Sequence, residues 1–139
     1  MIVLDTNVVS ELMRPAPTTR VVDWVAGQPA QSLYLTSVSV AEILHGVLLL
    51  PAGKRRHAIQ AAAESMFDAE FGGRILPFDA AAARIYAEIV VARRRAGHPV
   101  ASFDAQIAAI TINARGTLAT RNVSDFEGCG AKLVNPWDR

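Results

Sequence analysis

Three acidic residues stand at comparable places along this 139-residue chain and set the chemistry open to it. Asp5 follows Ile2-Val3-Leu4, an apolar run without alternation, as expected of a strand buried on both faces of a parallel sheet. Glu42 falls in the first turn of a helix predicted from about Ser39 to Leu50, after a second apolar run, Leu33-Tyr34-Leu35. Asp104 falls in the first turn of a near-wholly apolar helix predicted from Ser102 to Ala114. Open α/β sheets place their ligands at the carboxyl ends of strands, and Asp5 stands at such a place. If the three ends converge, like charges share a small volume and raise one another's pKa unless a cation lies among them. A hard divalent ion, Mg2+ or Mn2+, suits an all-oxygen set and keeps waters of its own. Zinc does not, because His45, His57 and His98 show no ligand spacing with one another or with Cys129.

Each acid also has an ordinary structural use. Asp5 with Asn7 can cap the helix that follows. Ser39-Val40-Ala41-Glu42 reads as a capping box, in which Glu42 bonds back to the Ser39 amide. Asp104 comes two residues after Ser102, a candidate cap, and gains from the helix dipole, yet a charge opening a buried helix must find a partner. The stretch Thr120-Arg121-Asn122-Val123-Ser124-Asp125-Phe126 adds oxygen-bearing side chains after another predicted strand, Thr117 to Ala119. Asn122 and Asp125 would equally serve as turn residues there.

The elements that must position these groups can be read in order. Val8 to Met13 makes one or two helical turns before Pro15 and Pro17, and an amphipathic helix starts near Thr18 or Thr19 and ends at Gly27. A basic, Ala-rich helix runs from about Lys54 to Phe71, closed by Gly72-Gly73. Ile75 to Phe78 is a third strand candidate, with Asp79 capping a helix in which Ala82, Ile85, Tyr86 and Ile89 recur at helical spacing until Gly97-His98-Pro99. Lys132 to Val134 is a fifth strand candidate. Strands alternating with helices predict an α/β fold, a mostly parallel central sheet of four to five strands flanked by helices on both faces. With no internal repeat or linker, residues 1–139 read as a single domain.

Composition bounds the rest. Lys plus Arg is 14 against 13 acids, so the net charge of +1 gives no reason by itself to expect nucleic acid. Aromatic residues are 6% of the chain, which leaves few rings for base stacking. Cys129 is the only cysteine, so an intrachain disulfide is excluded and the chain fits a reducing cytoplasm. The apolar start is too short for a secretory signal, and no segment reaches membrane-spanning length; a soluble cytoplasmic protein is expected. Lys54-Arg55-Arg56-His57 opens a helix, where the dipole disfavours cations, and serves either phosphate contact or solubility. Arg93-Arg94-Arg95 ends one, where cations are favoured anyway. Ile43, Leu44 and Val47 to Leu50 give their helix more apolar surface than one face needs, for an interface or for ordinary core.

Taken together, Ile-Val-Leu-Asp5-Thr6-Asn7, Ser-Val-Ala-Glu42, Asp104 opening an Ala/Ile-rich helix, Ala-Thr120-Arg121-Asn122 and the closing Asn135-Pro136-Trp137 resemble the PIN-domain ribonuclease toxins of the VapC family, the FitB-like branch above all. The likeness spans essentially the whole chain. It implies a PIN-like three-layer sandwich and a Mg2+- or Mn2+-dependent endoribonuclease, the toxin of a type II toxin–antitoxin pair, cleaving RNA phosphodiesters by metal-activated water. Its pocket would be Asp5, Glu42 and Asp104, with Asp5 and Asp104 the principal metal ligands and Glu42 holding a metal-bound water or acting as general base. Thr6, Asn7 and Thr120 would orient carboxylates or phosphate, and Arg121 is the foremost candidate for a phosphate contact. Where the family often has a fourth acid this chain has Asn122; Asp125, three residues on, either takes over that catalytic place or points elsewhere. Implied partners are the RNA substrate, a cognate VapB- or FitA-like antitoxin, a second copy in a homodimer, and DNA in a higher assembly with the antitoxin. Two rivals stand beside this: a receiver-like signalling domain with Asp79 as phosphoacceptor near Asp5 and Lys132, and a catalytically inactive PIN-like binding module, which Asn122 favours.

Overall fold

A computed structural model describes residues 1–138. Five strands, β1 (Ile2–Leu4), β2 (Leu33–Thr36), β3 (Ile75–Leu76), β4 (Thr117–Ala119) and β5 (Lys132–Val134), form one sheet in the order β3-β2-β1-β4-β5, every neighbouring pair parallel. The central strand β1 sets Ile2 opposite Leu33 on one side and Thr117 on the other, and Leu4 opposite Ala119. The chain builds outward from β1 to β3 and then returns to the far side of β1 with β4. The sheet therefore has its topological switch between β1 and β4, where such sheets open a crevice for ligands.

Among the described residues seven α-helices cover it: α1 (Thr6–Leu12), α2 (Thr19–Ala26), α3 (Ser37–Leu48), α4 (Lys54–Ser65), α5 (Ala80–Arg95), α6 (Ser102–Asn113) and α7 (Val123–Phe126). Alternate strand residues face opposite sides, which splits the core in two. Val3 and Leu118 pack with Ala82, Ile89, Ile107 and Phe126 from α5, α6 and α7. Leu4 and Ala119 pack with Val8, Val21, Ile43, Ala63 and Phe67 on the other face, from α1 to α4 and the turn after α4. Each fully buried Val or Leu of this kind contributes about 1.5–3 kcal/mol. The three layers are those expected from the alternation of strand and helix. Among the described residues no helix is long and apolar enough to cross a membrane.

Several local expectations are overturned, each for a physical reason. The capping box at Ser39 does not form: Thr36, at the end of β2, is the N-cap of α3, and its hydroxyl accepts from the Ser39 amide at 3.0 Å. Helix α3 thus begins at Ser37 and carries Glu42 in its second turn. Ser102 does not cap α6 either, since Ala101 holds that place and the Ser102 hydroxyl lies 3.3 Å from Tyr86 Oη. Phe103, in the first turn of that near-wholly apolar helix, is 53% exposed rather than buried. Strand β3 stops at Leu76 because Pro77 has no amide to donate. The basic helix α4 runs on as predicted, but its last turn, Met66–Glu70, is π-helical, with the Phe71 amide on the Met66 carbonyl. Gly72 follows, where a Cβ would collide with the Asp68 carbonyl.

Candidate active site

Strand β1 delivers Asp5 to the switch point. Its amide donates to the Ala119 carbonyl at 2.9 Å, so the backbone stays paired to β4 up to the residue whose side chain leaves the sheet. Asp5 is the N-cap of α1, with Oδ1 accepting from the Thr6 amide at 2.8 Å. Its other oxygen, Oδ2, accepts from the Thr120 hydroxyl at 2.7 Å. The capping role and the cleft role are thus held by one carboxylate. Only 4% of Asp5 is exposed. Burial pushes its pKa up from 3.8 to about 6, against the two hydrogen bonds, and the charges of Asp104 and Glu42 push the same way as burial.

Thr120, at the end of β4, is a hub. Its hydroxyl oxygen, donating to Asp5, accepts from Asn7 Nδ2 at 3.3 Å and from the Asn122 amide at 3.1 Å. Asn7 Oδ1 in turn accepts from the Arg121 amide at 3.3 Å. Thr6 serves the third acid: its hydroxyl lies 2.7 Å from Glu42 Oε1 and 2.9 Å from Ser39 Oγ. A hydroxyl has one proton to give, and an ionised carboxylate can only accept, so that proton goes to Glu42. Asp104, in the first turn of α6, is half-buried. Burial first, then the charges of Asp125 and Glu42, raise its pKa.

Asp5, Glu42 and Asp104 line one cleft of about 480 Å³, together with Thr6, Asn7 and Asn122. The fold therefore gathers these six sequence candidates on one surface. Thr120 is fully buried behind it. Asp125 and Arg121 are not on its wall: Asp125 is exposed on α7, near enough to act on Asp104 by charge, and the Arg121 guanidinium lies over the Trp137 ring, 5.1 Å from its centre. Three lining residues escaped the sequence reading, Ser10, Glu11 and Arg14. The signal was present, since Asn7, Ser10, Glu11 and Arg14 recur at the spacing of one helical face, yet the prolines beyond drew attention to where the helix stops.

Glu11 is buried and ionised. Its carboxylate accepts from the Thr18 amide at 3.0 Å and the Thr18 hydroxyl at 3.3 Å, and it takes Arg14 Nη1 at 3.2 and 3.3 Å on its two oxygens. These bonds, the Thr18 amide above all, hold its pKa below the usual glutamate range. They also explain why Thr18, the N-cap of α2, makes no capping bond with its own side chain.

Among the described residues the Glu11–Arg14 contact is the one ion pair, so no Lys or Arg neutralises Asp5, Glu42 or Asp104. An all-oxygen donor set carrying unbalanced charge, with one carboxylate already strained toward its protonated form, fits a hard divalent cation. Among the described residues no three His, Cys, Asp or Glu side chains form a finished ligand set. An ion taken up by the cleft would keep waters of its own. The receiver-like arrangement is not formed, because Asp79 follows β3 and Lys132 lies in β5, at opposite edges of the sheet, and Asp79 Oδ1 caps α5 through the Ala82 amide at 2.9 Å. A second cavity of similar volume is lined mostly by apolar residues, Leu4, Leu12, Met13, Val25, Met66 and Phe71 among them, with Glu70 and Arg74 also on its wall, and it brings no cluster of carboxylates together.

A family model described as PIN domain matches residues 2–127. The chain is 40% identical over 138 residues to "VapC ribonuclease Y4jK" of Sinorhizobium fredii and 40% identical over 137 residues to "Toxin FitB" of Neisseria gonorrhoeae, covering 99% of both chains in each pairing. Among solved structures, one of FitAB bound to an IR36 DNA fragment matches with a TM-score of 0.94 and 40% identity, covering 100% of this chain and 97% of its counterpart. A match over nearly the whole length, in sequence and in fold, makes this chain a member of the PIN-domain family, on the VapC and FitB-like branch.

Proposed function

We propose that this protein is a divalent-metal-dependent endoribonuclease and the toxin of a toxin–antitoxin pair. The observation that carries the reading is the unbalanced charge of Asp5, Glu42 and Asp104 around one cleft at the sheet's switch point. The names of two relatives, a VapC ribonuclease and a toxin, support the substrate class and the biological role.

Asp5 and Asp104 would hold Mg2+ or Mn2+, with Glu42 lining the same cleft. When bound, the ion supplies Lewis acidity toward a phosphodiester and lowers the pKa of water it carries. Thr6 holds Glu42 at Oε1 and leaves Oε2 to take a proton from the attacking water. Thr120 fixes the rotamer of Asp5 and keeps it ionised closer to neutral pH than burial alone would allow. Asn7, tied to the Arg121 amide, holds the strand end against the start of α1. Asn122 offers the cleft an amide in place of a fourth acid, a neutral oxygen that ligates more weakly than a carboxylate. That substitution is the one observation favouring a second reading, a module that keeps the fold and its partners without cleaving.

The solved toxin complexes support an antitoxin as partner, and DNA through the antitoxin. Exposed Leu48 and Leu49 at the end of α3 and Val91 on α5 support a homodimer. These partners, and a single cysteine, support a cytoplasmic location. Cleavage of total RNA with Mg2+ or Mn2+, its loss in EDTA and its loss in Asp104→Asn are the expected results. Intact RNA under every metal condition would leave the inactive module.

A further inference from the structure

We propose that Arg14 grips a phosphate of the RNA at the mouth of the acidic cleft, with Glu11 presenting its guanidinium; the inference rests on the ribonuclease reading above. A polyanion approaching three uncompensated carboxylates is repelled, so binding needs a fixed cation at the cleft as well as an ion inside it. Arg14 is the one basic residue on the cleft wall. Its side chain is 63% exposed, and only Nη1 is engaged, held by both oxygens of Glu11. Among the described residues Nε and Nη2 meet no acceptor, and together they make a fork suited to two phosphate oxygens.

The support beneath it is rigid. Glu11 is fixed by the Thr18 amide and hydroxyl, Arg14 sits in the turn that closes α1, with its amide on the Glu11 carbonyl, and Pro15 follows at once. A guanidinium anchored at one nitrogen loses less freedom on binding than a free one, which raises its worth as a contact. Arg121, the other candidate, is spent on Trp137. The rest of the basic residues, such as Lys54 to Arg56 on α4, lie off the cleft wall.

The test is steady-state cleavage of a short randomised single-stranded RNA by wild type, Arg14→Ala, Arg14→Lys and Arg121→Ala across a series of salt concentrations, with circular dichroism to check folding. Loss of a charge-assisted phosphate contact should raise KM about tenfold or more in Arg14→Ala and leave kcat within about twofold. The slope of log(kcat/KM) against log salt should flatten by about 0.7, one phosphate's share on a single strand. Arg14→Lys should keep the slope while recovering only part of KM, because an ammonium keeps the charge without the fork. Unchanged KM and slope in Arg14→Ala, or a flattened slope in Arg121→Ala instead, overturns the assignment. A wild type without metal-dependent cleavage overturns the ribonuclease reading itself, a result distinct from either.

Discussion

The Thr120 hydroxyl donates to Asp5 Oδ2 at 2.7 Å across 115 positions of chain, joining the ends of β4 and β1 at the point where the sheet changes direction. It is the strongest of the influences that keep Asp5 from protonating. Thr120→Val removes the donor and keeps the shape. A hydrogen bond to a charged group is worth about 1.5–3 kcal/mol, so the Asp5 pKa should climb a further one to two pH units, roughly. The acid limb of the metal-dependent cleavage profile should move up by a similar amount, and Thr120→Ser should restore it. A profile that stays in place in the valine variant would show that Asp5 does not govern it.

Metal-free stability should carry the opposite sign from ordinary acid denaturation at this one residue. The folded Asp5 pKa, about 6, lies above its ordinary value of 3.8, so the folded state binds the extra proton. Its burial therefore weakens the fold at neutral pH, and the penalty is relieved as pH falls from above 6 toward 3.8, a difference of roughly 3 kcal/mol. Asp5→Asn should melt higher than wild type at pH 7 in EDTA, and its Tm should lack this acid-side gain. Equal melting temperatures at pH 7 and pH 5 in wild type and variant would refute the desolvation account.

Thr6 holds Glu42 from α1 while its own amide donates to Asp5 Oδ1, so one residue touches both carboxylates. Thr6→Ser keeps both bonds and should cleave within about threefold of wild type. Thr6→Val leaves the backbone bond and frees Glu42, and misplacing a base by about 1 Å can lower kcat by about a hundredfold. KM should change far less. A fall in kcat with a matching rise in KM, equal in the serine and valine variants, would point to packing instead.

Strand ends were easy to see in the sequence because buried parallel strands leave continuous apolar runs: Ile2 to Leu4, Leu33 to Leu35 and Thr117 to Ala119 all fall where expected. Convergence of Asp5, Glu42 and Asp104 needed only the rule that such ends share one edge. Helix starts were harder. Thr36 and Ser39 are both good caps in one strand-to-helix turn, and which one wins depends on where β2 stops pairing with β3, a long-range fact. The network of Asn7, Thr120 and Arg121 was foreseen only as a group, since no spacing in the chain tells which hydroxyl will meet which carboxylate. Arg14 was missed because an exposed arginine beside two prolines looks like any surface turn until the cleft it borders is drawn.

Asn122 lines the cleft and Asp125 does not, so the two candidates for the fourth acidic place predict different responses to substitution. Asn122→Asp should add a charged oxygen to the site and lower the Mg2+ concentration for half-maximal cleavage by about tenfold, because the count of charged ligands sets the affinity for such an ion. Asp125→Asn should leave that concentration within about threefold. It should only lower the Asp104 pKa, because Asp125 acts on Asp104 by charge from outside the wall. Asp125→Asn matching Asp104→Asn in its loss would put Asp125 in the metal set after all.

Glu11 should answer acid in the opposite sense to Asp5. Its pKa is held below the ordinary 4.5 by the Thr18 amide, the Arg14 guanidinium and the Thr18 hydroxyl, so its contribution to folding is complete above that value and is lost as pH falls through the lower, folded pKa. What it holds is the connection from α1 to α2, through the Thr18 amide at 3.0 Å. Hydrogen exchange should find that amide protected at neutral pH and opening selectively in acid, while amides of the core helix α6 stay closed. Glu11→Ala should show the open state at all pH values and, with Arg14 released, the weakened RNA binding of Arg14→Ala. A Thr18 amide whose protection factor is indifferent to both pH and Glu11 would mean the turn is held by its prolines alone.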